Sequence, residues 1–221
     1  MMRTIGLLLC GVMVCFGAAC TQKAALDNKK GNAMKNNMSE PANKEQQSPE
    51  RREIIKAYRQ SVPALRFIGK KYSNADSDPV NGFSAKWNEW FENGWFSIIE
   101  KQIDGKTKDT YEDGDAYIGL IGGSGTAEKP LEYWIGIFMP ENTTVPEGFG
   151  YIDFPKGALG ICWVYGKGRA LYGNYGQCVK KLSDEGFGEL LPWCFERYAD
   201  SRFTTPDEKG NVILDIGFFI K

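Results

Sequence analysis

The stretch WCFERYADSRFTTPDEKGNVILDIGFFIK, residues 193–221, carries two strand-forming runs, 195–198 and 212–220, on either side of a turn-rich segment at 204–211. They read as two strands separated by a clear turn at the end of the chain. The first run places a carboxylate, Glu196, among Trp193, Phe195 and Tyr198. Strand alternation permits Glu196 to face solvent while Phe195 and Arg197 share the other face. It equally permits Glu196 to lie among aromatic rings, where its desolvation needs compensation and a ligand would provide it.

Working back from this pair, the chain reads as two similar units. In the second, 151–165 is a bent strand with Pro155-Lys156-Gly157 at its middle, and Leu171, Tyr175, Cys178, Val179 and Leu182 recur at helical spacing. In the first, 62–72 is a strand with Pro63 at its start. Trp87, Trp90, Phe91, Trp95, Ile98 and Ile99 then mark a helix across 83–102, with Ser84 as its N-cap and Gly94 as a weak point. Runs at 115–121 and 132–139 follow as a hairpin around a glycine-rich loop. That loop lacks the Gly-Lys-Ser/Thr ending of a phosphate cradle and leads into a strand. Both units read strand-helix-strand-strand, and two such units, each too small to bury its sheet face alone, would pack as a pseudo-symmetric pair with helices covering one face.

Composition narrows the chemistry. The 221 residues are 42% hydrophobic and 13% aromatic, with a net charge of -1 and no histidine. One core fits that length. Without a basic patch, nothing supports nucleic-acid binding. Without histidine, Ser-His-Asp and Cys-His nucleophiles and histidine-ligated zinc or haem are excluded. Neither a metal site nor a cofactor is expected. Cys162, Cys178 and Cys194 offer either a bridge between Cys178 and Cys194 or inert core thiols.

The N-terminus predicts export. Residues 1–19 combine Arg3, a short apolar run and small residues before Cys20, too short for a membrane span. They resemble a bacterial lipobox, departing from it at Gly17, and the resemblance implies lipid attachment at Cys20. Residues 20–53 form a polar tether that would hold a domain at 54–221 about 30 Å from its anchor. The expected location is the bacterial cell envelope, at the outer membrane or cell surface.

Pro146-Glu147-Gly148, the run 152–160 (IDFPKGALG), Cys194-Phe195-Glu196-Arg197-Tyr198 and Val212-Ile213-Leu214-Asp215-Ile216 together resemble the GyrI-like small-molecule-binding domain. That domain is also the effector-binding half of AraC-type and MerR-type multidrug regulators. The resemblance is best over 133–221; it implies an α+β fold in which two strand-helix-strand-strand units share one antiparallel sheet, with a ligand cleft between the two halves and Glu196 facing it. Candidate aromatic walls are Trp90, Tyr117, Tyr133, Trp163 and Tyr198. Tyr133 and its neighbour Trp134 cannot both face the cleft, and Tyr133 is favoured. The sequence shows no DNA-binding module, so the expected activity is multidrug-type recognition of amphipathic cationic or aromatic compounds by a tethered protein. Two alternatives stay open. Some relatives hydrolyse electrophilic cyclopropane-type toxins, which would make Glu196 an acid or base with its pKa raised by burial. An interaction protein with wholly structural aromatics is the other.

Overall fold

A computed structural model describes residues 52–102, 111–123, 126 and 128–221. The expected signal, lipid-bearing Cys20 and most of the tether lie outside the described residues. Among the described residues no helix is long and apolar enough to cross a membrane.

Eight strands form one sheet: β1 (Glu53–Val62), β2 (Leu65–Tyr72), β3 (Tyr117–Gly122), β4 (Glu132–Pro140), β5 (Gly150–Phe154), β6 (Gly157–Gly166), β7 (Leu190–Tyr198) and β8 (Val212–Ile220). Their order is β1-β6-β8-β7-β3-β4-β2-β5, with every pair antiparallel. The order is the same read from either end if the two halves are interchanged, so a pseudo-twofold passes between β7 and β3. Each half is therefore strand-strand-helix-strand-strand, one strand longer than its sequence suggests. The extra strands are exchanged: β1 borders β6 of the second half, and β5 borders β2 of the first. Pro63 ends β1 rather than opening a strand, and Pro155-Lys156 is the corner between β5 and β6.

The helices α1 (Ser84–Glu92), α2 (Trp95–Glu100) and α3 (Tyr175–Asp184) share one face of the sheet. Gly94, at a φ of 63°, breaks the expected single helix into α1 and α2, since the left-handed backbone there ends one helix and redirects the next. Ser84 is the first helical residue rather than the cap, and its hydroxyl donates to the Asn81 carbonyl at 2.7 Å. Cys162, Cys178 and Cys194 are free thiols where α3 meets the sheet, and burial pushes the Cys194 thiol up to about 12.

The opposite face curls on itself. Phe154 of β5 stacks on Phe219 of β8 with ring centroids 4.2 Å apart, although four strands separate them in hydrogen-bonding order. Phe138 makes edge contacts at 5.4–5.9 Å with Phe67, Phe154, Phe195 and Phe219 inside the curl. One end of it is closed by ion pairs. Buried Arg197 donates to Asp215 (2.8 Å), Gln60 (2.9 Å) and the Tyr58 hydroxyl (2.9 Å), and Arg202 binds both Asp215 and Asp113.

Candidate functional site

Alternation along β7 sends Phe195 and Arg197 into the curl and Glu196 and Tyr198 toward the helices. Glu196 is 0% exposed. Its Oε1 accepts a 2.5 Å hydrogen bond from the Tyr175 hydroxyl on α3. Its Oε2 accepts from the hydroxyls of Tyr198 (2.8 Å) and, more weakly, Tyr133 on β4 (3.4 Å). Tyr172, buried on the turn before α3, lies beside Tyr133 and Tyr198.

A missing side chain makes this convergence possible. Gly119 of β3 is the register partner of Glu196, and β3 runs between β4 and β7. A Cβ at Gly119 would lie 2.5 Å from the Tyr133 hydroxyl and 3.3 Å from Glu196 Oε2. Tyr133 thus crosses β3 over the glycine to reach the carboxylate. Its ring is fixed by stacking on Phe83 at 4.0 Å, and its hydroxyl accepts 2.9 Å from the Trp87 indole N–H. Trp87 also meets Tyr198 edge-on at 4.7 Å, with Phe203 on Tyr198 at 4.8 Å.

Electrostatically the site is one-sided. Burial raises the Glu196 pKa above its ordinary range, opposed by hydrogen bonds from Tyr175, Tyr198 and Tyr133. Burial, with the Glu196 charge acting in the same direction, holds all three tyrosines well above their usual range. Among the described residues no Lys or Arg meets this carboxylate; Arg197, its neighbour in sequence, is spent on Asp215 behind the sheet. A cation brought to about 4 Å would gain roughly 4 kcal/mol of Coulomb energy at an effective dielectric of 20.

The expected site residues divide. Glu196, Tyr198 and Tyr133 come together, and Trp134 faces the curl. Tyr117 is beside them as the register partner of Tyr198, stacked on Phe96 at 3.7 Å and donating to Glu100 at 3.1 Å. Trp90 is one helical turn from Trp87 and gives its indole N–H to Tyr72 at 2.9 Å, so it braces the helices rather than touching Glu196. Trp163 is not in the site: Cys162 and Val164 take the helix face of β6, which turns Trp163 to the other side. There it lies between Lys56 (4.2 Å) and Arg202 (4.7 Å). Tyr175, Trp87 and Gly119 are the members the site reading missed. Tyr175 and Trp87 did stand on the apolar stripes of their helices, the one signal that could have included them.

No protein-family model matches the chain, and no curated protein matches it. Solved structures do. A protein described as a bacterial transcription regulation protein from Staphylococcus aureus MU50 is 14% identical, with a TM-score of 0.50 over 76% of this chain and 99% of that one. SAV2435, solved bound to tetraphenylphosphonium, is 15% identical with the same TM-score, over 76% and 94%. The EcmrR C-terminal domain is 14% identical at 0.50, over 75% and 97%. At these identities the likeness is one of fold, and it agrees with the α+β antiparallel sheet expected from the sequence.

Proposed function

We propose that this protein binds amphipathic, cationic or aromatic small molecules at Glu196, with Tyr133, Tyr198, Trp87 and Tyr117 as aromatic walls. The observation that carries the reading is a buried carboxylate with three hydroxyl donors and, among the described residues, no basic partner. The buried carboxylate on the other face, Asp215, is paired with Arg197 and Arg202, whereas Glu196 is left to pair with an incoming cation. Rings around Glu196 add cation–π attraction for a lipophilic cation. The tetraphenylphosphonium complex of the similarly folded SAV2435 supports the same ligand class. Tyr175 is half-buried and, among the described residues, the only donor to Oε1, which makes it the point of access in this reading. A ligand takes its place on that oxygen.

Titrating tetraphenylphosphonium while following tryptophan fluorescence tests this, because Trp87 lies in the site. Saturable quenching is expected, and Glu196→Gln is expected to weaken it at least about 30-fold, the loss typical of removing one partner of a buried charge pair. A neutral probe of similar shape, triphenylphosphine oxide, is expected to respond little to the same change. Equal tetraphenylphosphonium affinity in both proteins would remove Glu196 from the site. Product exceeding one equivalent from an electrophilic cyclopropane probe would instead favour a hydrolase.

The tether belongs to the same proposal: Cys20 carries lipid, and the polar residues that follow it hold the domain in the bacterial envelope. Cys20→Ser is expected to abolish incorporation of a labelled fatty acid and to move the protein from the membrane fraction to the soluble one. Unchanged membrane association would sink the anchor.

A further inference from the structure

Building on that reading, we infer that the ligand-free site holds a proton on Glu196 and that a bound cation replaces it, so that binding here is an exchange of cation for proton. The argument is one of geometry. Glu196 is fully enclosed, and among the described residues its oxygens hydrogen-bond only to hydroxyl groups. Every element around it has the same character. β7 presents Tyr198 and Cys194, β4 presents Tyr133, and α3 presents Tyr175 with Cys178 further along. The turn before α3 presents Tyr172, and α1 presents the uncharged Trp87 indole. The register partners Gly119 on β3 and Ile216 on β8 have nothing to ionise. The site thus holds one carboxyl, tyrosines and thiols, and the latter two are neutral near pH 7 when buried.

A lone charge in such surroundings is expensive, and a group so placed takes up a proton instead. The neutral acid fits the contacts already present. With the proton on Oε1, the carboxyl donates across the 2.5 Å separation to the Tyr175 oxygen, while Oε2 still accepts from Tyr198 and Tyr133. When a cation enters, the Oε1–H bond breaks, the proton leaves to solvent past Tyr175, and the carboxylate pairs with the cation. The buried region is neutral before and after.

Calorimetry of tetraphenylphosphonium binding at about pH 5, in two buffers of different ionisation enthalpy, reads the exchange directly. Release of close to one proton per ligand is expected from the wild-type chain and none from Glu196→Gln. Affinity is expected to rise about tenfold per pH unit until the carboxyl ionises in the empty protein, then to level. Binding that depends on Glu196 but releases no proton at any pH from about 5 to 8 would overturn the exchange and leave the binding site standing. Absence of binding would instead count against the site itself.

A ligand-free measurement tests the proton independently. A carboxyl with its folded pKa raised above 4.5 stabilises the fold fully below that value and loses the contribution as pH rises through the folded pKa. Unfolding followed from about pH 5 to 8 should therefore show wild type losing stability relative to Glu196→Gln as pH rises. A constant difference between the two proteins would overturn the inference.

Discussion

Asp215→Ala is expected to destabilise the fold by about 3–5 kcal/mol and to lower the melting temperature by about 10 °C or more. Asp215 is 0% exposed and accepts from Arg197 Nε at 2.8 Å and from Arg202 Nε at 3.0 Å and Nη2 at 2.6 Å. Asp113 completes the set, 3.2 Å from Arg197 and 2.5 Å from Arg202. Two arginines and two aspartates make a neutral cluster that ties β1, β7 and β8 to residues 113 and 202. Removing Asp215 leaves Arg197, itself 1% exposed, with Asp113 as its one remaining carboxylate among the described residues. The Arg66–Asp153 pair is a control: Asp153 is 54% exposed, and its replacement by alanine is expected to change stability by at most about 1 kcal/mol. Thermal or urea unfolding distinguishes the two. A loss below about 1 kcal/mol in Asp215→Ala would mean that the network does not hold the curl closed.

That cluster shows where sequence reading stops. Alternation at 195–198 was fully legible, and both of its readings held something: Phe195 and Arg197 do share a face, yet the face of Glu196 is covered by helices rather than water. Apolar stripes identified the helical segments, because period 3.6 is a local property. What a strand's far side meets is not local. EIIKAYRQSV in β1 carries charges at every third residue rather than a strand's period of two, and merges with the polar segment before it. Its pairing with β6, Glu53 to Tyr165 at one end and Val62 to Gly157 at the other, spans about a hundred residues and leaves no pattern in either run. Trp163 was misplaced for the same reason, since aromatic character does not tell which face of β6 is the ligand's. Tyr175 stood on the stripe of its helix, but a stripe does not name the carboxylate its hydroxyl will reach. The glycines inside strands gave no signal at all, though the sheet depends on them.

Two of those glycines differ in what a single methyl would do. Gly136→Ala is expected to cost more than about 3 kcal/mol, at the upper end for overpacking, because the new Cβ would lie 2.1 Å from the Ile68 carbonyl oxygen and 2.8 Å from the Gly69 Cα. Those atoms are backbone. Gly69 and Gly136 are register partners, and the Phe67 ring lies over both on the inner face, so relief requires β2 and β4 to part where the sheet bends. Gly119→Ala meets instead the tip of a tyrosine, 2.5 Å from the Tyr133 hydroxyl. A shift of that ring withdraws the hydroxyl from Glu196 and from the Trp87 indole without moving a strand. Gly119→Ala is therefore expected to fold, losing about 1–2 kcal/mol, and to bind tetraphenylphosphonium roughly tenfold more weakly, the worth of one hydrogen bond to a charged group. Circular dichroism with unfolding measures the first effect and fluorescence titration the second. If Gly136→Ala keeps wild-type stability, the close approach of β2 and β4 does not shape the sheet. If Gly119→Ala binds like wild type, the reach of Tyr133 across β3 is structural, and its hydroxyl does not serve the ligand site.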